Sequence, residues 1–137
     1  MIIDGIVEGG KRLGRTIGFP TANILVTSEV NLPADGVYIA AVWLDGGEAP
    51  WPAMLNQGRH PTVPDGKPTV EAHILNFSGD IYGRSVRIEY LHFLRPEKRF
   101  EGLEALKAQL RIDRAATHAW ALAHADEYQW QGAENRK

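Results

Sequence analysis

The stretch Ser85-Val86-Arg87-Ile88-Glu89-Tyr90-Leu91-His92-Phe93 has the most regular pattern in the chain and predicts a β-strand over residues 85–93. Successive strand residues point to opposite faces, so one face is expected to carry Val86, Ile88, Tyr90 and His92. Further strands are predicted between segments rich in glycine and proline, over residues 2–7, 21–25, 36–43, 53–56 and 69–77. Short strands at this spacing are typical of a closed or sandwiched antiparallel sheet.

The pattern changes after Phe100, where leucines recur at helical spacing. Leu103, Leu106 and Leu110 predict a helix over about residues 101–111. The alanine-rich stretch 115–125 either continues this helix or forms a second one. With 137 residues the chain is expected to form one domain, with strands over about 1–99 and a helical part over about 100–128.

Composition narrows the function classes. A net charge of −2 gives no reason to expect a nucleic-acid partner, and the absence of cysteine excludes disulfides, thiolate metal sites and cysteine nucleophiles. No apolar run approaches the ~18 residues of a membrane span, and the N-terminus lacks the pattern of a signal peptide. We expect a cytoplasmic monomer that binds neither membrane nor nucleic acid.

The segment Gly18-Phe19-Pro20-Thr21-Ala22-Asn23-Ile24 is a candidate metal site at the start of a strand. If the strand begins at Thr21, then Thr21 and Asn23 point to the same side. A hydroxyl and an amide oxygen are hard neutral ligands, which Mg²⁺ accepts together with waters and nucleotide phosphate oxygens. The alternative is that these two side chains only stabilise a turn.

The preceding segment, Gly9-Gly10-Lys11-Arg12-Leu13-Gly14-Arg15-Thr16, differs from a phosphate-binding P-loop by having arginine in the lysine position. A P-loop must open a helix, and Gly18 and Pro20 prevent one here. A glycine-rich loop with three cations can still surround a polyphosphate with backbone N–H groups and positive charge. The alternative is a solvated hairpin loop with ordinary surface charges.

Glu71 is the candidate for proton transfer, because it stands in the otherwise apolar stretch 70–75. Partial burial there could raise its pKa towards that of a useful base. His73 shares the face of Glu71 and could orient it, or could be a hydrogen-bonded structural histidine. The alternative is that both residues line the wet face of an edge strand.

The connector Arg95-Pro96-Glu97-Lys98-Arg99-Phe100 places an aromatic ring beside several cations. Phe100 could pack on a planar ring while Arg95 or Lys98 meets an anion attached to that ring. We expect this segment to be mobile without ligand, because its charges have no evident internal partners. A charged strand-to-helix connector without a ligand is the alternative.

These segments occur in a fixed order with three further motifs, namely Gly58-x-x-Pro61-Thr62, Val70-Glu71-Ala72-His73-Ile74 and Asp80-Ile81-Tyr82-Gly83. In this order and spacing the chain resembles riboflavin kinase, the enzyme that makes FMN from riboflavin and ATP, from about residue 5 to about residue 113. The resemblance implies a small six-stranded antiparallel β-barrel with a C-terminal helix, and ATP as co-substrate. It also implies Mg²⁺, with Zn²⁺ or Mn²⁺ as alternatives.

The resemblance also implies roles for individual residues. Glu71 would be the catalytic base that accepts the proton of the riboflavin 5′-hydroxyl, and Thr21 and Asn23 would hold the metal. The nucleotide contacts would be Gly9, Gly10, Arg15, Thr21, Asn23, Ile74 and Tyr82. The flavin contacts would be Arg95, Lys98 and Phe100.

Bacterial members of the family often carry an FMN-adenylating domain ahead of the kinase domain. The first predicted strand begins at about residue 2, so the chain is expected to stop at FMN. Two other classes remain open at this stage. One is a catalytically inactive flavin- or nucleotide-binding module with the same barrel, and the other is a small barrel that binds nucleic acid.

Overall fold

Six antiparallel strands close into a barrel in the computed structural model, which describes residues 1–8, 20–58, 68–77 and 79–132. In chain order they are β1 (Ile2–Glu8), β2 (Ala22–Val26), β3 (Gly36–Leu44), β4 (Trp51–Gly58), β5 (Thr69–Ile74) and β6 (Ser85–Arg95). Around the barrel the order is β1-β2-β5-β4-β3-β6. The barrel and the predicted strands are confirmed, although β5 ends before residue 77 because the backbone turns at Asn76, where φ is 62°.

Side chains that alternate along each strand fill the interior of the barrel. On β5, Val70, Ala72 and Ile74 belong to the buried interior cluster, so Glu71 and His73 lie on the outer face. The other strands contribute further members of this cluster, namely Ile3, Val7, Ile24, Tyr38, Ala40, Val42, Ala53, Leu55, Val86, Ile88 and Tyr90. The interior is therefore a packed core, and polar chemistry is left to the outer face and the ends of the barrel.

Two irregularities in the pairing of β3 with β6 change which residues of β6 face inward. The register shifts twice between residues 37 and 40 of β3. As a result Phe93, and not His92, pairs with Tyr38 on the interior side, with ring centroids 5.2 Å apart. The expectation that His92 shares the face of Tyr90 was wrong, because a bulge inserts one residue and moves the following side chains to the other face.

One continuous helix, α1 (Leu103–Ala123), packs on the outer face of the barrel, and a single turn, α2 (Ala125–Tyr128), follows it. The alanine-rich stretch therefore continues the first helix, which does not end at residue 111. Leu110 packs on Met54 and Leu75, and Ala121 packs on Ala41 of β3. Among the helices of the described ranges, none is long and apolar enough to cross a membrane.

After α1 the chain turns back and residues 125–132, here named the C-terminal clasp, pack on the barrel. Trp130 is 4% exposed, and its Nε1 donates a hydrogen bond to the carbonyl oxygen of Ala121 at 2.8 Å. Its ring stacks on Tyr128, with centroids 4.7 Å apart. The backbone N–H of Gln131 donates to the carbonyl oxygen of Pro50, at a distance of 2.8 Å. The clasp thus joins the end of α1 to the turn between β3 and β4.

His73 ties Pro20, two residues before β2, to strand β5. Its Nδ1 lies 2.7 Å from the carbonyl oxygen of Pro20 and must donate, because a carbonyl only accepts. Burial lowers the pKa of His73 from its ordinary value of 6.5, the Pro20 carbonyl opposes this in part, and the charge of Arg114 lowers it further. The folded protein therefore holds His73 neutral at neutral pH.

Truncation of Trp130 should destabilise the whole domain, because the ring fills space between α1 and the barrel. Trp130→Ala should lower the free energy of unfolding by about 3–5 kcal/mol. Trp130→Phe keeps most of the packing and loses only the indole N–H, so about 1 kcal/mol is expected. Urea unfolding measures both, with the exposed Tyr82→Ala as the matched aromatic control. A Trp130→Ala protein as stable as this control would contradict the assigned packing.

Titration of His73 should make the domain less stable in mild acid. The folded state protonates His73 less readily than the unfolded state, so the free energy of unfolding should fall as the pH drops below 6.5 towards the lowered pKa. His73→Asn supplies an amide N–H to Pro20 without titrating and should remove this part of the pH dependence. Urea unfolding of both proteins at about pH 7.5 and about pH 5.5 tests the difference. If the free energy of unfolding falls equally in both proteins between these pH values, His73 is not buried in its neutral form.

Candidate functional site

A row of polar side chains crosses the outer face of four neighbouring strands. Glu8 of β1 pairs with Asn23 of β2, Asn23 pairs with Glu71 of β5, and Glu71 pairs with Asn56 of β4. Directly paired residues point to the same face, with Cβ atoms about 5 Å apart. The register therefore brings the predicted base Glu71 and the predicted metal ligand Asn23 side by side, although 48 positions separate them in the sequence.

Glu71 is buried although it lies on the outside of the barrel. Its side chain and that of His73 are each 8% exposed. Strand β5 lies between β2 and β4, so it is an interior strand of the closed sheet. The alternative that these two residues line the wet face of an edge strand is therefore excluded. A carboxylate in such a place is partly shielded from water and held by its neighbours, as a base requires.

Thr21 directly precedes β2, which begins at Ala22 and not at residue 21. Thr21 and Asn23 are both partly buried. Pro20 is fixed to β5 through His73, so the backbone that carries Thr21 is anchored at the residue before it. His73 thus fixes the backbone before β2 and has a structural role in the site.

The residues predicted to contact the nucleotide lie in different parts of the molecule, and some of them fall outside the described ranges. Gly9, Gly10 and Arg15 lie outside the described residues. Ile74 ends β5 and packs in the barrel interior, on the opposite face from Glu71. Tyr82 is 66% exposed, and its backbone N–H donates to Asp80 Oδ1 at 2.9 Å in the turn before β6. Their roles in nucleotide binding stay predictions.

In the connector after β6, the expectation that the charges lack internal partners was wrong for Arg95. Its guanidinium forms an ion pair with Asp113 of α1, with Nη2 and Oδ2 2.7 Å apart. Phe100 is partly buried and has two cations near its ring, with the guanidinium carbon of Arg95 5.9 Å and Nζ of Lys98 5.7 Å from the centroid. The connector therefore has an internal anchor before any flavin binds.

Sequence reasoning missed Asp113 and Asn56. Asn56 was placed in a strand but had no assigned role, because its position opposite Glu71 depends on how two distant strands align. Asp113 was missed because the helix was expected to end before it. The sequence did contain a sign of its role. Asp113 is four residues from both Gln109 and Thr117, and residues four apart lie on one face of a helix.

The chain is similar over most of its length to proteins of one family. The family model described as "Flavokinase: Riboflavin kinase" matches residues 1–121. A bifunctional riboflavin kinase/FMN adenylyltransferase from Pseudomonas fluorescens is 42% identical over 87% of this chain and 38% of its own length. The Escherichia coli K12 protein of the same description is 43% identical over 81% of this chain and 35% of its own length. The chain thus spans little more than a third of these relatives.

Two solved structures share the fold. The riboflavin kinase from Trypanosoma brucei has a TM-score of 0.62 and 28% identity, over 88% of this chain and 79% of its own. A structure described as a macrolide-efflux protein from Streptococcus pneumoniae has a TM-score of 0.79 and 35% identity, over 87% of this chain and 38% of its own. The family match spans the strands and most of α1, including the row that joins Asn23 to Glu71. This chain belongs to the riboflavin kinase family.

Proposed function

We propose that this chain transfers the terminal phosphoryl group of ATP to the 5′-hydroxyl of riboflavin, giving FMN and ADP. The observation that carries the proposal is the pairing of Asn23 with Glu71 on the outer face of the barrel. It sets a candidate base beside a candidate ligand of the metal–nucleotide complex, in a chain whose family match covers residues 1–121. In phosphoryl transfer the protein contributes chiefly positioning and electrostatic stabilisation.

Glu71 takes the role of general base. The riboflavin hydroxyl oxygen forms a bond to the γ-phosphorus of ATP while the bond from that phosphorus to the β–γ bridging oxygen breaks. The hydroxyl proton passes to the Glu71 carboxylate, and ADP leaves with the bridging oxygen. Burial to 8% exposure and interior strands on both sides support this role, because they hold the carboxylate in one position.

Thr21 and Asn23 are proposed to hold a divalent cation. A hydroxyl and an amide oxygen near a carboxylate form an all-oxygen donor set, which suits Mg²⁺ and leaves positions for waters and phosphate oxygens. The bound cation would offset negative charge on the phosphates. Mg²⁺ as the cation, with Zn²⁺ or Mn²⁺ as alternatives, and the contacts of Gly9, Gly10 and Arg15 with ATP are part of the proposal. The proposal also includes contacts of Ile74 and Tyr82 with the nucleotide.

The connector is proposed to bind the flavin through Phe100 and Lys98. Phe100 is partly buried beside Lys98, so a planar ring could pack on it next to a positive charge. In this proposal β2 and β5 carry the phosphoryl-transfer chemistry, and the segment between β6 and α1 binds the flavin. We further propose that the protein is a cytoplasmic monomer.

The direct test is formation of FMN from riboflavin, ATP and Mg²⁺, with the product identified by chromatography and ADP measured in parallel. Riboflavin-dependent ADP release that matches FMN formation supports the kinase. Binding of flavin or ATP without any FMN would identify an inactive binding module and contradict the proposal.

Loss of the base should slow chemistry more than binding. Glu71→Gln should lower kcat by about 10²-fold or more, because the amide cannot accept the hydroxyl proton. The KM values for riboflavin and ATP should change little. Glu89→Gln, on the outer face of β6, is the matched control and should keep wild-type kcat. A Glu71→Gln enzyme that retains more than half of wild-type kcat would remove Glu71 from the mechanism.

Loss of a metal ligand should raise the metal requirement. Asn23→Ala and Thr21→Val each delete one proposed ligand oxygen, so each should need more Mg²⁺ for half-maximal activity and should weaken ATP binding more than riboflavin binding. Asn56→Ala, the other neighbour of Glu71 in the row, is the control and should keep the wild-type Mg²⁺ titration. Unchanged Mg²⁺ titrations in both ligand variants would leave Thr21 and Asn23 as turn-forming residues only.

A further inference from the structure

The ion pair between Arg95 and Asp113 is largely removed from water. The side chain of Asp113 is 2% exposed and that of Arg95 is 18% exposed. Arg95 Nε donates to both carboxylate oxygens, at 3.0 Å and 3.1 Å, and Nη2 donates to Oδ2 at 2.7 Å. This side-on fork uses the geometry that distinguishes arginine from lysine.

Asp113 is held from its own helix as well. Gln109 Nε2 donates to Oδ1 at 2.9 Å, and the hydroxyl of Thr117 donates to the backbone oxygen of Asp113 at 2.8 Å. A carboxylate removed from water this completely needs such partners, and loss of one leaves an uncompensated buried charge. Asp113 therefore fixes the position of Arg95 relative to α1.

Arg95 also contacts other residues of the connector. The bulges of β6 pair Arg95 with Val37, on the outer face of the barrel and towards α1. Its Nη1 donates to the carbonyl oxygen of Pro96 at 3.1 Å, and its guanidinium lies 5.9 Å from the ring centroid of Phe100. One side chain thus contacts α1, the next residue of the connector, Pro96, and the aromatic ring at the end of the connector, Phe100.

The middle of the connector also lies close to the barrel. The carboxylate of Glu97 occupies the space that a side chain at Gly58 would need. Gly58 ends β4, so Glu97 lies beside the end of that strand. The connector is therefore fixed to α1 through Arg95, and its residue Glu97 lies next to the end of β4.

We propose that Asp113 and Arg95 form a positioning pair that holds the connector in the shape that binds flavin, and that Arg95 acts through Asp113 and not by contacting the flavin phosphate. This inference rests on the proposed function, since it assigns the connector to flavin. In the folded protein three guanidinium N–H groups are engaged by Asp113 and Pro96. Phe100 and Lys98 remain the side chains that would meet the ligand.

The test compares Arg95→Lys with Asp113→Asn. Lysine keeps a positive charge for a phosphate but cannot form the fork, and asparagine nearly keeps the shape of Asp113 without its charge. Both variants should weaken binding of riboflavin and of FMN by the same factor, about tenfold or more. Fluorescence titration of each flavin measures this, and the KM for ATP should stay within about twofold.

The double variant Arg95→Lys/Asp113→Asn should bind flavin as tightly as the single variant that binds it more weakly. The reason is that the two substitutions disrupt the same ion pair. Trp130→Phe is the control for a general loss of stability, and it should leave flavin binding unchanged. A loss confined to FMN in Arg95→Lys, with Asp113→Asn unaffected, would show that Arg95 contacts the phosphate and would overturn the inference. So would losses that add in the double variant.

Amide hydrogen exchange gives a readout that needs no ligand. In Asp113→Asn the amides of residues 97–102 should exchange about tenfold faster or more, while the amides of β2 and β5 keep their protection. Unchanged exchange in the connector would overturn the inference even if the wild-type protein makes FMN. If the wild-type protein makes no FMN but the connector amides respond as expected, the proposed function fails and the positioning pair stands.

Discussion

The pairing of β2 with β5 is the constraint on which the candidate site depends. Strand side chains alternate between two faces, and closure of the barrel assigns one face of every strand to the packed interior. Once Ile24 and Val70 face inward, Asn23 and Glu71 must face outward and lie next to each other. A slip of one residue in this register would place the carboxylate in the apolar core, so the same pattern that folds the barrel also assembles the site.

A polar network lies in the part of the interior that the structure describes, and its hydrogen bonds explain why polar groups are tolerated there. Gln57 is fully buried, accepts a hydrogen bond from the Tyr90 hydroxyl at 2.8 Å and donates to the Pro33 carbonyl at 2.6 Å. Burial raises the pKa of Tyr90 far above its ordinary value, so the hydroxyl stays a neutral donor. Both ends of the Gln57 amide are engaged, which fixes the loop before β3 to strands β4 and β6.

The sequence was sufficient for features that depend on local pattern, and insufficient for those that depend on distant alignment. Alternation located the strands, and a lone acid in an apolar stretch marked Glu71. The bulges of β6 were not predictable, because they arise from how β6 matches β3. They decide that Phe93, and not His92, lies on the side of Tyr38, and that Arg95 faces α1. The ion pair of Arg95 with Asp113 was missed for the same reason, since it joins two elements whose relative position only the folded chain defines.

Closure of the barrel also affects whether another chain can add a strand to this sheet. Ile6 and Leu25 pair directly on the outer face and are 40% and 48% exposed, so β1 and β2 present apolar side chains to water. In an open sheet such strands could recruit an extended segment of another molecule through unpaired backbone groups. Here each strand already has a hydrogen-bonded neighbour on both sides. Self-association by strand addition therefore requires the barrel to open first, which links resistance to aggregation to the stability of the whole domain.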